Sequence, residues 1–158
     1  MLSCLKNNLF SSFIFIALLG LSACNSTNKN ELPHWYDPNR DALVDLELAS
    51  QLAGDRKILV IIGGDWCSWC HLLNKYFESN KKVYDKLKQT FVVLKVNFSD
   101  ENENPEFFNI YPPAKGYPHF IILDKNKKYL GQQDTSQLES GESYSDDAIL
   151  AFVNKWQI

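Results

Sequence analysis

The distribution of apolar residues predicts where the buried elements of the chain lie. Three short apolar runs, at 57–63, 91–98 and 119–123, have the length and residue types of strands. The first contains five consecutive aliphatic residues, from Ile58 to Ile62, as expected of a strand that is buried on both faces. The sequence therefore predicts that residues 57–63 form the centre of a sheet.

Helical spacing of apolar residues predicts four helices around these strands. The first should begin at Asp37-Pro38, because Asp caps helices and Pro suits the first helical position, and it should end near Gly54. Its buried face should carry Leu43, Leu46, Ala49 and Ala53. The remaining helices are expected directly after the cysteines at 67 and 70, over 81–89 with Asn80 as cap, and after Ser145 as cap.

The remaining segments predict connections. Residues 100–113 are acidic and rich in Asn and Pro, which predicts a loop or broken helical turn that turns Phe107 and Phe108 inward. A turn at 124–127 should join the strand 119–123 to a hairpin partner at 128–131. This order predicts an α/β fold of three layers, with helices on both sides of a central mixed sheet. The first two strands should be parallel and the last pair antiparallel.

The N-terminal apolar run predicts an export signal. Leu9 to Leu21 would extend only about 20 Å as a helix, short of the ~30 Å hydrocarbon core of a membrane. The following Leu21-Ser22-Ala23-Cys24 resembles the lipobox of bacterial lipoproteins, which predicts lipidation of Cys24. We therefore expect a signal peptide at 1–23, a lipidated N-terminus and linker at 24–36 and a folded domain at 37–158. An ordinary signal peptide is the alternative.

Lipidation implies a location. It would hold the protein on a membrane of the bacterial cell envelope, facing the periplasm or the exterior. Asn25 would be the second residue of the mature lipoprotein, where an Asp is associated with retention in the inner membrane. The absence of that Asp favours the outer membrane for a Gram-negative cell.

Composition excludes several classes of protein. A hydrophobic content of 45% excludes a disordered tail, and 16 basic against 19 acidic residues argue against a nucleic-acid partner. Four cysteines are too few for a disulfide-rich scaffold. Cys4 would leave with the signal peptide and Cys24 would carry lipid. Cys67 and Cys70 are therefore the pair available for chemistry.

Three motifs between residues 66 and 118 carry a family resemblance. Trp66-Cys67-Ser68-Trp69-Cys70 follows the central strand and starts a helix, and Gly116-Tyr117-Pro118 precedes another strand. Lys95 and Asn97 form a Lys-x-Asn pattern in the second strand. Over roughly 55–156 the chain resembles thioredoxin, and most closely the exported single-domain thioredoxin-like proteins. The resemblance implies that Pro118 is a cis-proline beside the cysteines.

The same resemblance implies a thiol:disulfide oxidoreductase that needs no cofactor or metal. Cys67, at the helix start, would attack a substrate disulfide as the thiolate, and Cys70 would resolve the mixed disulfide by forming the Cys67–Cys70 bond. Protein thiols or disulfides would be its substrates, with a further redox partner. Trp69, Tyr117 and Pro118 would contact substrate. Packing or proton equilibria at Trp66, His71 and Lys95 would tune the site, although His71 and Trp69 also suit purely structural roles.

Two positions depart from the thioredoxin pattern. Many thioredoxins place a buried Asp six residues before the first cysteine, where this chain has Ile61. The residue after Pro118 is His119 rather than Thr. These differences predict an unusual proton path to Cys70 and a substrate choice different from that of a general thioredoxin.

Other functions remain open at the level of sequence. Cys67-Ser68-Trp69-Cys70-His71 matches the C-x-x-C-H haem attachment pattern of c-type cytochromes. Structural zinc would need scattered histidines, at 34, 71 and 119, to complete the cysteine pair. A third alternative keeps the thioredoxin-like fold as a binding module, with the disulfide only bracing a helix.

Overall fold

A computed structural model describes residues 31–157, and a four-stranded mixed sheet forms the middle of the fold. The spatial order is β2-β1-β3-β4, so the predicted central strand does lie inside the sheet. β1 is parallel to β2 and antiparallel to β3, and β3 and β4 form an antiparallel hairpin, as expected. The bounds of the strands are Lys57–Gly63, Phe91–Asn97, His119–Leu123 and Tyr129–Asp134. The fourth strand is longer than the predicted 128–131.

Helices cover both faces of the sheet and complete the predicted three layers. Their bounds are Ala42–Ala53 for α1, Ser68–Ser79 for α2, Lys81–Thr90 for α3, Pro105–Phe108 for α4 and Asp146–Trp156 for α5. One core lies between the sheet and α2, α3 and α5, and the other between the sheet and α1 and α4. β1 is buried on both faces because Leu59 and Ile61 point into the first core and Val60 and Ile62 into the second.

The predicted start of α1 at Asp37-Pro38 is wrong. The helix begins at Ala42 because the Asp41 side chain accepts hydrogen bonds from Leu43 N at 2.8 Å and Val44 N at 3.2 Å. The Asp37 carboxylate instead accepts from Asn39 N, which forms a local turn ahead of the helix. Both Asp residues suit a cap, and the sequence alone did not distinguish them.

Asn80 occupies the N-cap position of α3 as predicted, but its side chain makes no hydrogen bond to that helix. Its amide nitrogen donates to Tyr76 O at 3.0 Å, at the end of α2. The side chain therefore closes the preceding helix, because α2 and α3 are separated by this one residue. Ser145 caps α5 as predicted, accepting from Ala148 N at 3.2 Å.

One connection holds more structure than the sequence predicts, and the acidic loop matches its prediction. Residues Thr135–Leu138 form a 3₁₀ helix, and Glu139–Ser140 (β5) pairs with Ser143–Tyr144 (β6) in a small hairpin. The acidic loop contains α4, where Phe107 is buried and Phe108 is half-buried, in line with the predicted inward turn.

The sequence predicts that the folded domain starts at residue 37. In the structure, the residue before this point is already part of the hydrophobic core. Tyr36 is only 4% exposed and belongs to the core that contains the cysteine pair. The predicted signal peptide, the lipidation site and most of the predicted linker lie outside residues 31–157. Within those residues no helix is both long and apolar enough to cross a membrane.

Candidate active site

The two cysteines lie at the N-terminus of α2 and form a disulfide. Cys67 is the N-cap, and its Sγ accepts a hydrogen bond from Cys70 N at 3.1 Å. Cys67 N donates to Gly64 O at 3.1 Å, which closes the turn that leaves β1. Free amides and the helix dipole at this end stabilise negative charge on the Cys67 sulfur. The arrangement favours a Cys67 thiolate once the disulfide is reduced.

A proline loop lies beside this turn because β1 and β3 are neighbours. Ile62 pairs with His119, so the end of β1 and the start of β3 meet at one edge of the sheet. The Tyr117–Pro118 peptide bond directly before β3 is cis, as the resemblance implied. The Pro118 carbonyl accepts a hydrogen bond from the Thr135 hydroxyl, so the 3₁₀ helix holds the loop in place.

Trp66 ties the cysteine turn to the proline loop. Its indole nitrogen donates to Phe98 O at 2.7 Å, just beyond β2. The Trp66 and Tyr117 rings pack edge-on with their centroids 5.2 Å apart. The Tyr117 ring in turn stacks on the Phe98 ring, with a centroid distance of 5.4 Å. The Trp66 side chain is nevertheless 57% exposed, which leaves an aromatic surface beside the disulfide. These contacts agree with the predicted packing role of Trp66 and put Tyr117 in the same surface.

Trp69 lies on the opposite side of the turn and is half-buried. Its ring meets Tyr144 edge-on at 5.8 Å, and its carbonyl accepts from the Tyr144 hydroxyl at 3.4 Å. β6 therefore supports the first turn of α2. The packed part of Trp69 is structural, and the rest of its ring is exposed to solvent.

His71 is exposed on α2, and its Nε2 lies 2.8 Å from Asp65 O and 3.5 Å from Asp65 Oδ1. Trp35 packs against the His71 ring at 4.8 Å and donates its indole hydrogen to Asp65 Oδ1 at 2.9 Å. His71 and Trp35 thus fix the loop between β1 and the cysteines. The predicted influence of His71 on the site would act through this loop.

Lys95 is held by the segment that precedes α1. Its Nζ donates to His34 O at 2.8 Å and Asn74 Oδ1 at 2.7 Å, and lies 4.6 Å from the Trp35 ring centre. Burial lowers the pKa of Lys95 to about 8, with a smaller opposing effect from Glu78. Lys95 in β2 pairs in register with Ile61 in β1, the strand that leads into the cysteine turn.

Tyr36 is the site residue that sequence analysis missed. A Cβ built on Gly63 would lie 2.5 Å from Cys70 Sγ and 2.8 Å from the Tyr36 ring, so the sulfur and the phenol both lie close to this glycine. The signal in the sequence was the aromatic pair Trp35-Tyr36 within a segment assigned to a linker. The importance of this pair follows from the packing of the segment beside Gly63 of β1, and local sequence patterns do not reveal such a tertiary contact.

The model of a thioredoxin-like family matches residues 41–125, more than half of the chain. The chain belongs to the thioredoxin-like family. The solved structure of a disulphide isomerase from Xylella fastidiosa Temecula1 is similar, with 25% identity and a TM-score of 0.65, and the match covers 79% of this chain and 96% of that one. A thioredoxin from Thermus thermophilus has 22% identity and a TM-score of 0.51, with 77% and 85% covered. No curated protein sequence matches the chain significantly.

The state of the cysteines and their surroundings bear on the alternatives to thiol:disulfide exchange. Cys67 and Cys70 are bonded to each other, whereas haem attachment would use both sulfurs for thioethers. Among residues 31–157, no three His, Cys, Asp or Glu side chains are grouped so that they could hold a metal ion. The family and the bonded pair support a thiol oxidoreductase.

The two residues that depart from the thioredoxin pattern, Ile61 and His119, are both buried. Ile61 is 1% exposed and packs in the same core as the cysteines, so an apolar side chain replaces the acid. His119 is also 1% exposed, with Nε2 3.3 Å from Gln132 Oε1 and no hydrogen-bond partner for Nδ1. Burial lowers the pKa of His119, which keeps the ring neutral behind the proline loop.

Proposed function

We propose that this protein is a membrane-anchored thiol:disulfide oxidoreductase of the bacterial cell envelope that acts on protein thiols and disulfides. The observation that carries this proposal is the Cys67–Cys70 disulfide at the N-terminus of α2, next to cis-Pro118. The fold and the reactive pair are those of the thioredoxin-like family. The substrates and the redox partner remain part of the proposal.

The geometry supports a two-step exchange. The Cys67 thiolate attacks one sulfur of a substrate disulfide, so a Cys67–substrate bond forms and the other substrate sulfur leaves with the electron pair and takes a proton from water. Cys70 then loses its proton and attacks Cys67. The Cys67–Cys70 bond forms, the mixed disulfide breaks, and the second substrate sulfur leaves as a thiolate. Two electrons pass to the substrate, and the reverse sequence oxidises substrate thiols.

The roles of the two cysteines follow from their positions. Cys67 is the cap residue at the open end of α2, where Cys70 N already donates to its sulfur. Cys70 lies one turn inside, and in the disulfide both cysteines are buried, Cys67 at 4% and Cys70 at 1% exposed. We therefore assign the first attack to Cys67 from its place at the helix N-terminus, where a thiolate is stabilised. The exposed face of Trp66 and the adjacent Tyr117 form the apolar surface beside which a polypeptide would dock.

The decisive experiment combines turnover with trapping. The wild-type protein should reduce insulin when a regenerating reductant is supplied, and Cys67→Ser should abolish this activity. Cys70→Ser should accumulate mixed disulfides through Cys67, because the resolving thiol is absent. Equal insulin reduction by wild type and Cys67→Ser would instead favour the binding module. Adducts recovered through Cys70 in Cys67→Ser would reverse the assigned roles.

Disulfide isomerisation is the second candidate, favoured by the similarity to the disulphide isomerase from Xylella fastidiosa. An isomerase needs the same Cys67 attack but releases a rearranged substrate before Cys70 completes the second step. Scrambled ribonuclease separates the two activities. Recovery of ribonuclease activity by Cys70→Ser would support isomerisation, whereas a requirement for both cysteines would support net oxidation or reduction.

A further inference from the structure

The resolving cysteine lacks the buried carboxylate that many thioredoxins place six residues before the first cysteine. Ile61 occupies that position and packs in the core. A buried thiol that must ionise before it attacks needs a compensating group, because burial alone raises the pKa of a thiol. Another polar group near the Cys70 sulfur must therefore fill this role.

Tyr36 places a hydroxyl near this sulfur. A Cβ on Gly63 would be 2.5 Å from Cys70 Sγ and 2.9 Å from the Tyr36 hydroxyl oxygen. The two atoms are therefore at most 5.4 Å apart, the sum of these separations. The Tyr36 side chain is 4% exposed and lies in the same core as both cysteines. Within the disulfide the sulfur is bonded to Cys67, and reduction leaves it free to accept a hydrogen bond.

The other polar groups around this position have partners of their own. Lys95 Nζ is 5.7 Å from the Tyr36 ring centre but donates to His34 O and Asn74 Oδ1. The His71 ring contacts Asp65, and the Tyr144 hydroxyl donates to Trp69 O. Trp35 packs edge-on against Tyr36 at 4.9 Å and is itself held by Asp65. The segment 34–36 thus fixes the phenol in place.

We infer that the Tyr36 hydroxyl donates a hydrogen bond to the Cys70 thiolate and is the positioning residue for the resolving step. This inference rests on the proposed oxidoreductase function. Burial raises the pKa of Tyr36, with a smaller contribution from Tyr144, so the phenol keeps the proton that it would donate to the thiolate. The Cys70 proton leaves to water, and the hydrogen bond stabilises the anion that remains. Cys70 then attacks Cys67 with the bond changes described above.

The test measures the Cys70 thiol directly. In the full chain with Cys4→Ser, Cys24→Ser and Cys67→Ser, Cys70 is the remaining thiol, and its ionisation is followed by thiolate absorbance against pH. Tyr36→Phe keeps the ring and removes one hydroxyl. We expect it to raise the Cys70 pKa by about one to two units, the size of a hydrogen bond to a charged group. With the cysteines restored, release of a preformed Cys67 mixed disulfide near neutral pH should slow by about tenfold or more.

A matched control is Tyr76→Phe. Tyr76 is also buried in this core, but its hydroxyl donates to Asp146 at 2.7 Å, so its loss should leave the Cys70 pKa unchanged. An unchanged Cys70 pKa in Tyr36→Phe would overturn the inference. Should that variant fail to fold, the ¹³C resonance of the Tyr36 Cζ in the Tyr36-containing chain must still titrate together with Cys70. A Cζ resonance that is insensitive to Cys70 ionisation would likewise overturn it.

These measurements are separate from the test of the function. If the wild-type protein fails to reduce insulin while Tyr36→Phe shifts the Cys70 pKa, the proposed function falls and the hydrogen bond stands. If insulin is reduced and the pKa does not move, the Tyr36 inference falls alone.

Discussion

Gly63 is the residue at which β1, the cysteine pair and the N-terminal segment come together. A side chain there would overlap Cys70 Sγ and the Tyr36 ring, both buried and neither at the end of a flexible chain. The absence of a Cβ is therefore what allows Tyr36 to approach the sulfur. This requirement is steric, because the Gly63 backbone continues a regular strand.

Gly63→Ala should lower the free energy of unfolding of the oxidised protein by about 1–3 kcal/mol, the usual cost of overpacking a core. Urea denaturation followed by tryptophan fluorescence measures this change. Gly116→Ala is the control, since a Cβ there meets nothing within 4 Å, and it should be close to neutral. Equal stabilities of the two variants would contradict the steric role of Gly63.

His119 gives the fold a pH dependence. Burial lowers its pKa in the folded protein, outweighing the opposing effects of Gln132 and Asp134, and Lys115 adds a small lowering effect. The unfolded chain therefore binds this proton more readily, and stability falls as the pH drops below about 6.5. Between about pH 7.5 and pH 5, the urea midpoint of wild type should fall further than that of His119→Gln, which does not titrate there. Parallel pH profiles of the two proteins would rule out this contribution.

The sequence pointed to the two cysteines and Pro118 more directly than to the residues packed around them. Cys67, Cys70 and Pro118 belong to motifs with fixed local spacing, and the structure places them together. Tyr36 has no such motif, because its partner Cys70 is distant in sequence and the two meet only through the tertiary fold. The aromatic contacts of Trp66 and Trp69 likewise depend on residues from β6 and the proline loop.

Among the elements, strands and helices with strong apolar periodicity were predicted well and their ends less well. β1 and β3 match the predicted ranges, and α5 starts at the predicted cap. The β5–β6 hairpin was not foreseen because each of its strands has only two residues. Such short strands are specified by neighbouring packing, here the contacts of Tyr144 with Trp69, and not by a repeating pattern.

The start of α1 provides a direct test of capping. Asp41→Ala should destabilise the protein by about 1 kcal/mol, because Leu43 N and Val44 N lose their acceptor. Asp37→Ala should cost less, since Asp37 serves only an exposed turn ahead of the helix. Urea denaturation of both variants gives the comparison. A larger loss in Asp37→Ala would restore the helix start that the sequence first suggested.

At the scale of the whole molecule, the proposed tether and the redox site are close along the chain. Cys24 precedes the Trp35-Tyr36 pair by about ten residues, and that pair contacts the active-site loop and Cys70. A short connection would keep the site near the membrane surface, where its substrates would be other envelope proteins. The three-layer fold itself does not require the tether.

Cys24→Ser should therefore move the protein from the membrane fraction to the soluble fraction without loss of insulin reduction. Incorporation of labelled palmitate should disappear in the same variant, because the acceptor thiol is gone. Cys4→Ser is the control and should leave both labelling and fractionation unchanged. Continued labelling of Cys24→Ser would contradict the lipid anchor at this residue.

The inner pairing of β1 with β3 has a consequence for local opening. The cysteine turn leaves β1 and the proline loop enters β3, and both strands have a hydrogen-bonded neighbour on each side. Amides of inner strands exchange with deuterium mainly when the whole domain unfolds. Exchange measured by mass spectrometry should thus be slowest in the two strands that hold the site and faster in β4 and the β5–β6 hairpin. The cysteine turn and the proline loop would then be attached to the two strands that resist local unfolding most, while β4 and the β5–β6 hairpin unfold locally more often.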